Sequence, residues 1–179
     1  MRLGRSTPGA PLTFEPVEHF PPIRVLLTNT LVPRRTRQQV AKWAGVTPEK
    51  LELTSFHPIR VYYNQSTLVT HVDQVDTHVL SAVYVVDADL ESEGSKPWLM
   101  ETDPSFTGKK DKAEVLPGKL FLYESAKLPH GRTAPLQSAY SAHIFVHFKP
   151  KDWAYTNIDR VYGVPPAWDQ PALHQRREL

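Results

Sequence analysis

The sequence contains no cysteine. That excludes disulfides, thiolate-bound zinc, iron–sulfur clusters and cysteine nucleophiles, so any metal must be held by His, Asp and Glu. Net charge is also nearly absent: 21 Lys and Arg stand against 19 Asp and Glu, a formal +2. Such a balance gives no electrostatic basis for binding nucleic acid or an anionic membrane. No apolar run approaches the roughly 18 residues that a membrane span needs. The opening MRLGRSTPGAPL lacks the apolar segment of a secretory signal and reads as a plain leader in preference to a transit-peptide remnant. A soluble chain of the cytoplasm or of an organelle lumen or matrix is expected, with the compartment unassigned. Internal repeats and low-complexity tracts are missing too.

What is present is the composition of a globular domain. The 179 residues are 40% hydrophobic and 22% charged, enough for one ordinary core. The 17 prolines crowd the two ends. Residues 1–22 therefore read as an N-terminal extension, 23–150 as the folded domain and 151–179 as a Pro-rich tail. Tyr155, Tyr162 and Trp168 are possible anchors in that tail. Extensions of this kind suit a chain that lies across a partner surface.

Residues 23–28 (IRVLLT) read as a strand, and 36–44 (TRQQVAKWA) as a helix with Val40, Trp43 and Ala44 on one face. From Leu51 the pattern changes to period two with β-branched and aromatic residues. Strands are expected at 59–63, 68–72, 79–86, 98–102, 119–124 and 140–148, with 79–86 central because it is the most apolar. Residues 106–112 read as a polar hairpin or loop, and Pro117-Gly118 as a turn. Short strands with one helix ahead of them predict a sandwich or barrel with a helical flank.

The chemistry concentrates in Thr70-His71-Val72-Asp73. On a strand, residues i and i+2 point the same way, so His71 and Asp73 present an imidazole and a carboxylate in one direction. The best source of a third ligand is His130, in Leu128-Pro129-His130-Gly131-Arg132, where Gly131 permits a tight backbone path. Two histidines and one carboxylate on one face leave half an octahedron open, the arrangement of non-haem Fe(II) oxygenases.

Three blocks in order carry a resemblance: 60–86 (RVYYNQSTLVTHVDQVDTHVLSAVYVV), 116–132 (LPGKLFLYESAKLPHGR) and 140–150 (YSAHIFVHFKP). Over residues 38–150 the chain resembles the prolyl-4-hydroxylase-like group of the Fe(II)/2-oxoglutarate-dependent dioxygenases. The resemblance implies a mainly β fold, a double-stranded β-helix or jelly roll, here with a flanking N-terminal helix and Pro-rich terminal extensions. It implies Fe(II) held by His71, Asp73 and His130, with 2-oxoglutarate as co-substrate and ascorbate open as a further cofactor. It puts Tyr63 where the family commonly has a tyrosine contacting 2-oxoglutarate. The implied reaction is hydroxylation of a protein or peptide, prolyl or a related C–H substrate.

The chain departs from the family where an Arg or Lys normally pairs with the far carboxylate of 2-oxoglutarate. Ala139 and Tyr140 stand there, although Ser141 keeps the serine of an Arg-x-Ser pattern. Losing a bidentate guanidinium–carboxylate pair should weaken the co-substrate unless another cation replaces it. Arg132, His143 and Arg60 are the candidates. Two alternatives remain beside the dioxygenase: a catalytically weakened domain serving a larger protein assembly, and a cupin-like metal enzyme without a keto acid. Of the other histidines, His57 reads as an extended loop edge, His78 as a half-buried strand residue and His147 as a satisfied core residue. Asp76 reads as a surface turn, and the acidic run from Asp87 to Glu93 as a solvated loop.

Overall fold

The computed structural model describes residues 31–104 and 107–155. The expected strand at 23–28 and both terminal extensions, save residues 151–155, lie outside the described residues. The described residues open with helix α1 (Leu31–Trp43), then a one-turn 3₁₀ segment (Pro48–Lys50). Eight strands follow: β1 (Leu51–Tyr63), β2 (Leu68–His71), β3 (Leu80–Ala88), β4 (Met100–Thr102), β5 (Asp111–Ala113), β6 (Leu120–Tyr123), β7 (His130–Arg132) and β8 (Tyr140–Pro150).

They form two four-stranded sheets in the orders β1-β8-β3-β6 and β2-β7-β4-β5. Every pairing is antiparallel. Apart from the β4–β5 hairpin, successive strands alternate between the sheets, and the last pairs with the first, which is the double-stranded β-helix, or jelly roll.

Alternation along β3 explains the two layers of core. Leu80, Ala82 and Tyr84 face one way, onto Val40 and Ala41 of α1 and onto Ile144, Val146 and Phe148 of β8. Val83 and Val85 face the other way, into the space between the sheets, against Met100, Ala113, Phe121 and Tyr123. A strand buried on both faces reads as a near-continuous apolar run, broken here by the hydrogen-bonded Ser81, and β3 is the strand between β8 and β6 that the sequence marks as central. The helix ends at Gly45, whose φ of 68° is left-handed; Val46 N–H closes onto Ala41 C=O at 2.9 Å. Trp43 does not join the buried face as expected. The stripe toward the sheet runs through Thr36, Val40, Ala41 and Ala44, and Trp43 beside it is 41% exposed.

Other departures have local causes. β1 begins at Leu51 instead of residue 59 and runs through Pro58, with one register shift before it, between Leu53 and Ser55, and one across it, between His57 and Arg60. Proline lacks the N–H a ladder needs, and β1 tolerates it as an edge strand with an irregularity there. β5 and β7 span only three residues each, too short for a period-two signal. The Pro117-Gly118 turn forms as expected: Lys119 N–H reaches Leu116 C=O at 3.0 Å, and Gly118 takes φ 81°. Among the described residues no helix is long and apolar enough to cross a membrane.

Gly131 lets β7 approach β2. A Cβ there would stand 2.8 Å from Leu68 O and 3.0 Å from Thr70 Cα, both backbone atoms. Gly131→Ala should therefore destabilise the fold by roughly 1–3 kcal/mol, as overpacking does. Urea unfolding of the variant measures this, and an unchanged midpoint would contradict the close approach.

Candidate functional site

The register of one strand pair builds the site. His71 on β2 is the direct partner of His130 on β7, and their rings lie 4.5 Å apart. His130 is thus a strand residue, 2% exposed, and not part of the connecting loop. Just beyond β2, the Asp73 N–H donates to Ser125 C=O at 2.8 Å, which turns the carboxylate back toward both rings. Asp73 Oδ1 is 3.5 Å from His71 Nε2 and 3.8 Å from His130 Nε2.

The two imidazoles are oriented by the same device. His71 Nδ1 donates to Val69 C=O and His130 Nδ1 to Leu128 C=O, each at 2.8 Å and each two residues upstream. A carbonyl only accepts, so both protons sit on Nδ1 and both Nε2 lone pairs turn toward Asp73. The three residues offer ligand atoms within 4.8 Å of one another and could hold a metal ion. Burial opposes ionisation of Asp73, but the surrounding His71, His130 and His147 outweigh it, so its pKa is lowered. Burial lowers His130 as well, against the pull of Asp73 and the Leu128 carbonyl. A carboxylate kept ionised beside neutral imidazoles is the state in which all three ligate.

The triad opens onto a cavity of about 140 Å³ between the sheets. Arg132, two residues beyond His130 on β7, points into it and is 2% exposed. Its Nη1 donates to Trp98 C=O, and its guanidinium lies over the Trp98 ring at 4.9 Å. Burial lowers its pKa to about 10, which leaves it a cation at neutral pH. From β8, His143, Phe145 and His147 enter the cavity on one strand face, as parity predicts. Burial and the neighbouring Arg132 hold His143 near pKa 3. Ser141 does not line the cavity; it reaches the wall by a 2.7 Å hydrogen bond to His143 Nε2.

The structure separates the other candidates. Tyr63 is 66% exposed and lies outside the cavity, and its neighbour Tyr62 lines the wall instead. Adjacent strand residues face opposite ways, so a one-residue difference in register decides which tyrosine enters. Arg60 lines the mouth and lies over Phe145 at 5.7 Å. His57, His78 and His147 all line the cavity, a grouping the separate readings of each residue missed. His147 is buried and hydrogen-bonded, as a core histidine would be, yet it is also part of the wall. The available signal was the even spacing from His143 to His147 on β8.

Three buried side-chain atoms on this wall have no hydrogen-bond partner: Asp73 Oδ2, Arg132 Nη2 and His143 Nδ1. Unpaired buried polar atoms are costly, so their clustering marks a place shaped for a ligand. One end asks for a cation and the other for a hydrogen-bonding anion.

The buried neutral histidines make stability depend on pH. His143 and His147 are lowered from 6.5 to about 3, chiefly by burial, while the unfolded chain binds protons at 6.5. Between these values the unfolded state holds more protons, so stability falls as pH falls through that window. The metal-free chain should lose stability below pH ~6.5, with a slope approaching about 1.4 kcal/mol per pH unit for each histidine. Urea midpoints from pH 7.5 to 5 measure it, and His143→Gln should flatten the dependence.

No family model and no curated protein matches the chain. Solved structures do. A prolyl-4-hydroxylase from Pseudomonas putida is 18% identical with a TM-score of 0.49, covering 66% of this chain and 62% of that one. The nickel complex of a non-heme monooxygenase, ThoJ, is 12% identical at TM-score 0.45, covering 83% and 69%. A truncated viral collagen prolyl hydroxylase from Paramecium bursaria Chlorella virus-1 is 16% identical at 0.45, covering 66% of each chain. The matched part spans about 62% of the Pseudomonas protein's length. At these identities the likeness concerns the fold alone, and the strand order shows that fold directly: the chain is a double-stranded β-helix with a His-Asp-His cluster at the mouth of its inner cavity.

Proposed function

We propose that the chain is an Fe(II)- and 2-oxoglutarate-dependent dioxygenase that hydroxylates a protein or peptide, prolyl or a related C–H substrate. The observation that carries this reading is the shared orientation of His71 and His130, each with its Nδ1 proton on a backbone carbonyl and its Nε2 turned to Asp73. Two neutral nitrogens and one carboxylate oxygen on one face suit Fe(II) and leave coordination positions open. Asp73 Oδ2, buried and unpaired, adds to the demand for a cation. When bound, iron and keto acid together supply the oxidising chemistry, coupling O₂ reduction and decarboxylation of the keto acid to oxygen insertion at a C–H bond.

The chain's own residues do the rest. His71, Asp73 and His130 would hold the iron. Arg132 would take the role of the basic residue missing at Ala139 and Tyr140. Its Nη1 is fixed by Trp98, and Nη2 is left for the far carboxylate of 2-oxoglutarate. His143, steadied by Ser141, would add a second contact through Nδ1. Met100, Phe145 and Tyr123 wall the space with apolar surface, which limits water around the charged groups.

A second reading, a structural subunit of a larger assembly, draws on one observation. Ile59, Val61 and Tyr63 on edge strand β1, with Val69 on β2, are exposed apolar side chains at 37–73%. Exposed apolar surface beside an open strand edge suits a protein partner, whether substrate or subunit.

Thermal melting of the full chain separates the readings. With metal present at a hundred times its Kd, Mn²⁺ standing in for iron should stabilise by about 2.7 kcal/mol. That is on the order of 5–10 °C for a domain of this size. Adding 2-oxoglutarate should raise the melting point again. His71→Ala should lose both shifts. Arg132→Met should keep the metal shift and weaken 2-oxoglutarate at least about tenfold, or about 1.4 kcal/mol. A metal shift with no response to millimolar 2-oxoglutarate would rule out the dioxygenase and favour the structural subunit.

A further inference from the structure

Six of the chain's eight histidines line one cavity, more than one metal centre of the kind described above employs. Two of the six belong to the triad, and His143 sits with Arg132. The other three form a group of their own. His57 comes from β1, His78 from the turn before β3 and His147 from β8, and each offers a ring nitrogen within 4.8 Å of the others. The His78 and His147 rings are 3.9 Å apart, and the His57 and His147 rings 5.7 Å apart.

Hydrogen bonds fix which nitrogen of His147 carries the proton. The His78 carbonyl can only accept, so Ser125 Oγ donates to it at 2.6 Å. Ser81 Oγ must then donate to Ser125 Oγ, at 2.5 Å. With its one proton so placed, Ser81 accepts from His147 Nδ1 at 2.6 Å. His147 is therefore the Nδ1–H tautomer with its lone pair on Nε2. Thr77 Oγ1 holds His78 Nδ1 at 2.6 Å, and with Gln74 Oε1 at 3.3 Å and Asp76 Oδ1 at 3.4 Å within reach of its proton it can accept from the ring. His57 Nε2 is anchored to Ser55 Oγ at 2.7 Å. A ring nitrogen held by a hydroxyl, with the other left to ligate, is the arrangement that outer partners give metal-binding histidines. It repeats here what Val69 and Leu128 do for His71 and His130.

We propose that His57, His78 and His147 form a second divalent-metal site, a three-imidazole centre in the same cavity as the His71–Asp73–His130 triad. Its donors are all nitrogen, so it suits Zn²⁺, Cu²⁺ or Ni²⁺ and not Mg²⁺ or Ca²⁺. Three protein ligands facing a cavity leave a fourth position for water or another ligand, as in catalytic rather than closed structural zinc sites. The two centres are neighbours: Asp73 Oδ2 lies 3.8 Å from His147 Nδ1, so the Asp73 carboxylate stands between them.

Calorimetric titration of the metal-free full chain with Zn²⁺ at pH 7.5, with zinc analysis after gel filtration, tests the site. The wild type should bind two equivalents. His57→Ala, at an exposed residue whose loss should spare the fold, should lose the second equivalent or bind it at least tenfold more weakly. His71→Ala should keep the second centre and lose the first, and the double variant should bind neither. A second readout reports proximity. Cu²⁺ loaded to two equivalents should give a half-field paramagnetic resonance signal in the wild type that is absent from both single variants. Binding of one equivalent or none to the wild type overturns the proposal. So does a second equivalent that survives in both His57→Ala and His78→Ala.

Discussion

The pairing of β2 with β7 is the contact on which the site depends. It sets His71 directly opposite His130, and it forms because Gly131 has no side chain to hold the strands apart. Once the strands are in register, two backbone carbonyls two residues upstream orient both rings. The carboxylate then needs only the turn at Asp73, pinned through its N–H to Ser125. Few long side chains have to be ordered to aim three donors at one point. That is how a site gains precision from a sheet rather than from loops.

The cavity behind this point is organised by charge. Asp73 stands at one end, surrounded by imidazoles; Arg132 stands at the other, stacked on Trp98 with one arm occupied. Burial keeps His143 and His147 uncharged, which prevents the cation-binding end from filling with competing protons. The wall therefore offers lone pairs to a metal and a guanidinium to an anion within one small volume. Catalytic sites often show such opposed environments side by side.

Much of this was legible in the sequence. The apolar run at 79–86 is a strong signal because that strand is long and buried on both faces, and it marks the central strand; strand parity along 140–148 marks the face of β8 that enters the cavity. The closeness of His71 and Asp73 was readable, but not its cause: β2 ends at His71, and the turn pinned to Ser125, not strand parity, brings the carboxylate back. Arg132 was readable only as a neighbour of His130. β7 was not legible: three residues, one of them glycine, carry no periodic signal, and only pairing with β2 and β4 makes them a strand. Tyr62 against Tyr63 was a register question that no single strand can answer. The His57–His78–His147 group needed tertiary structure, because it joins three segments whose histidines each have an ordinary local reading.

The central claim is that His71, Asp73 and His130 hold one metal ion. A crystal structure of the full chain grown with Mn²⁺, with anomalous scattering data from the manganese, tests it most directly. The account predicts an anomalous peak bonded to His71 Nε2, His130 Nε2 and an Asp73 oxygen, at distances near 2.0–2.2 Å for nitrogen and oxygen donors, with both Nδ1 atoms still on the Val69 and Leu128 carbonyls. Absence of a peak among these three atoms at saturating Mn²⁺, or imidazoles turned away from Asp73, would contradict it.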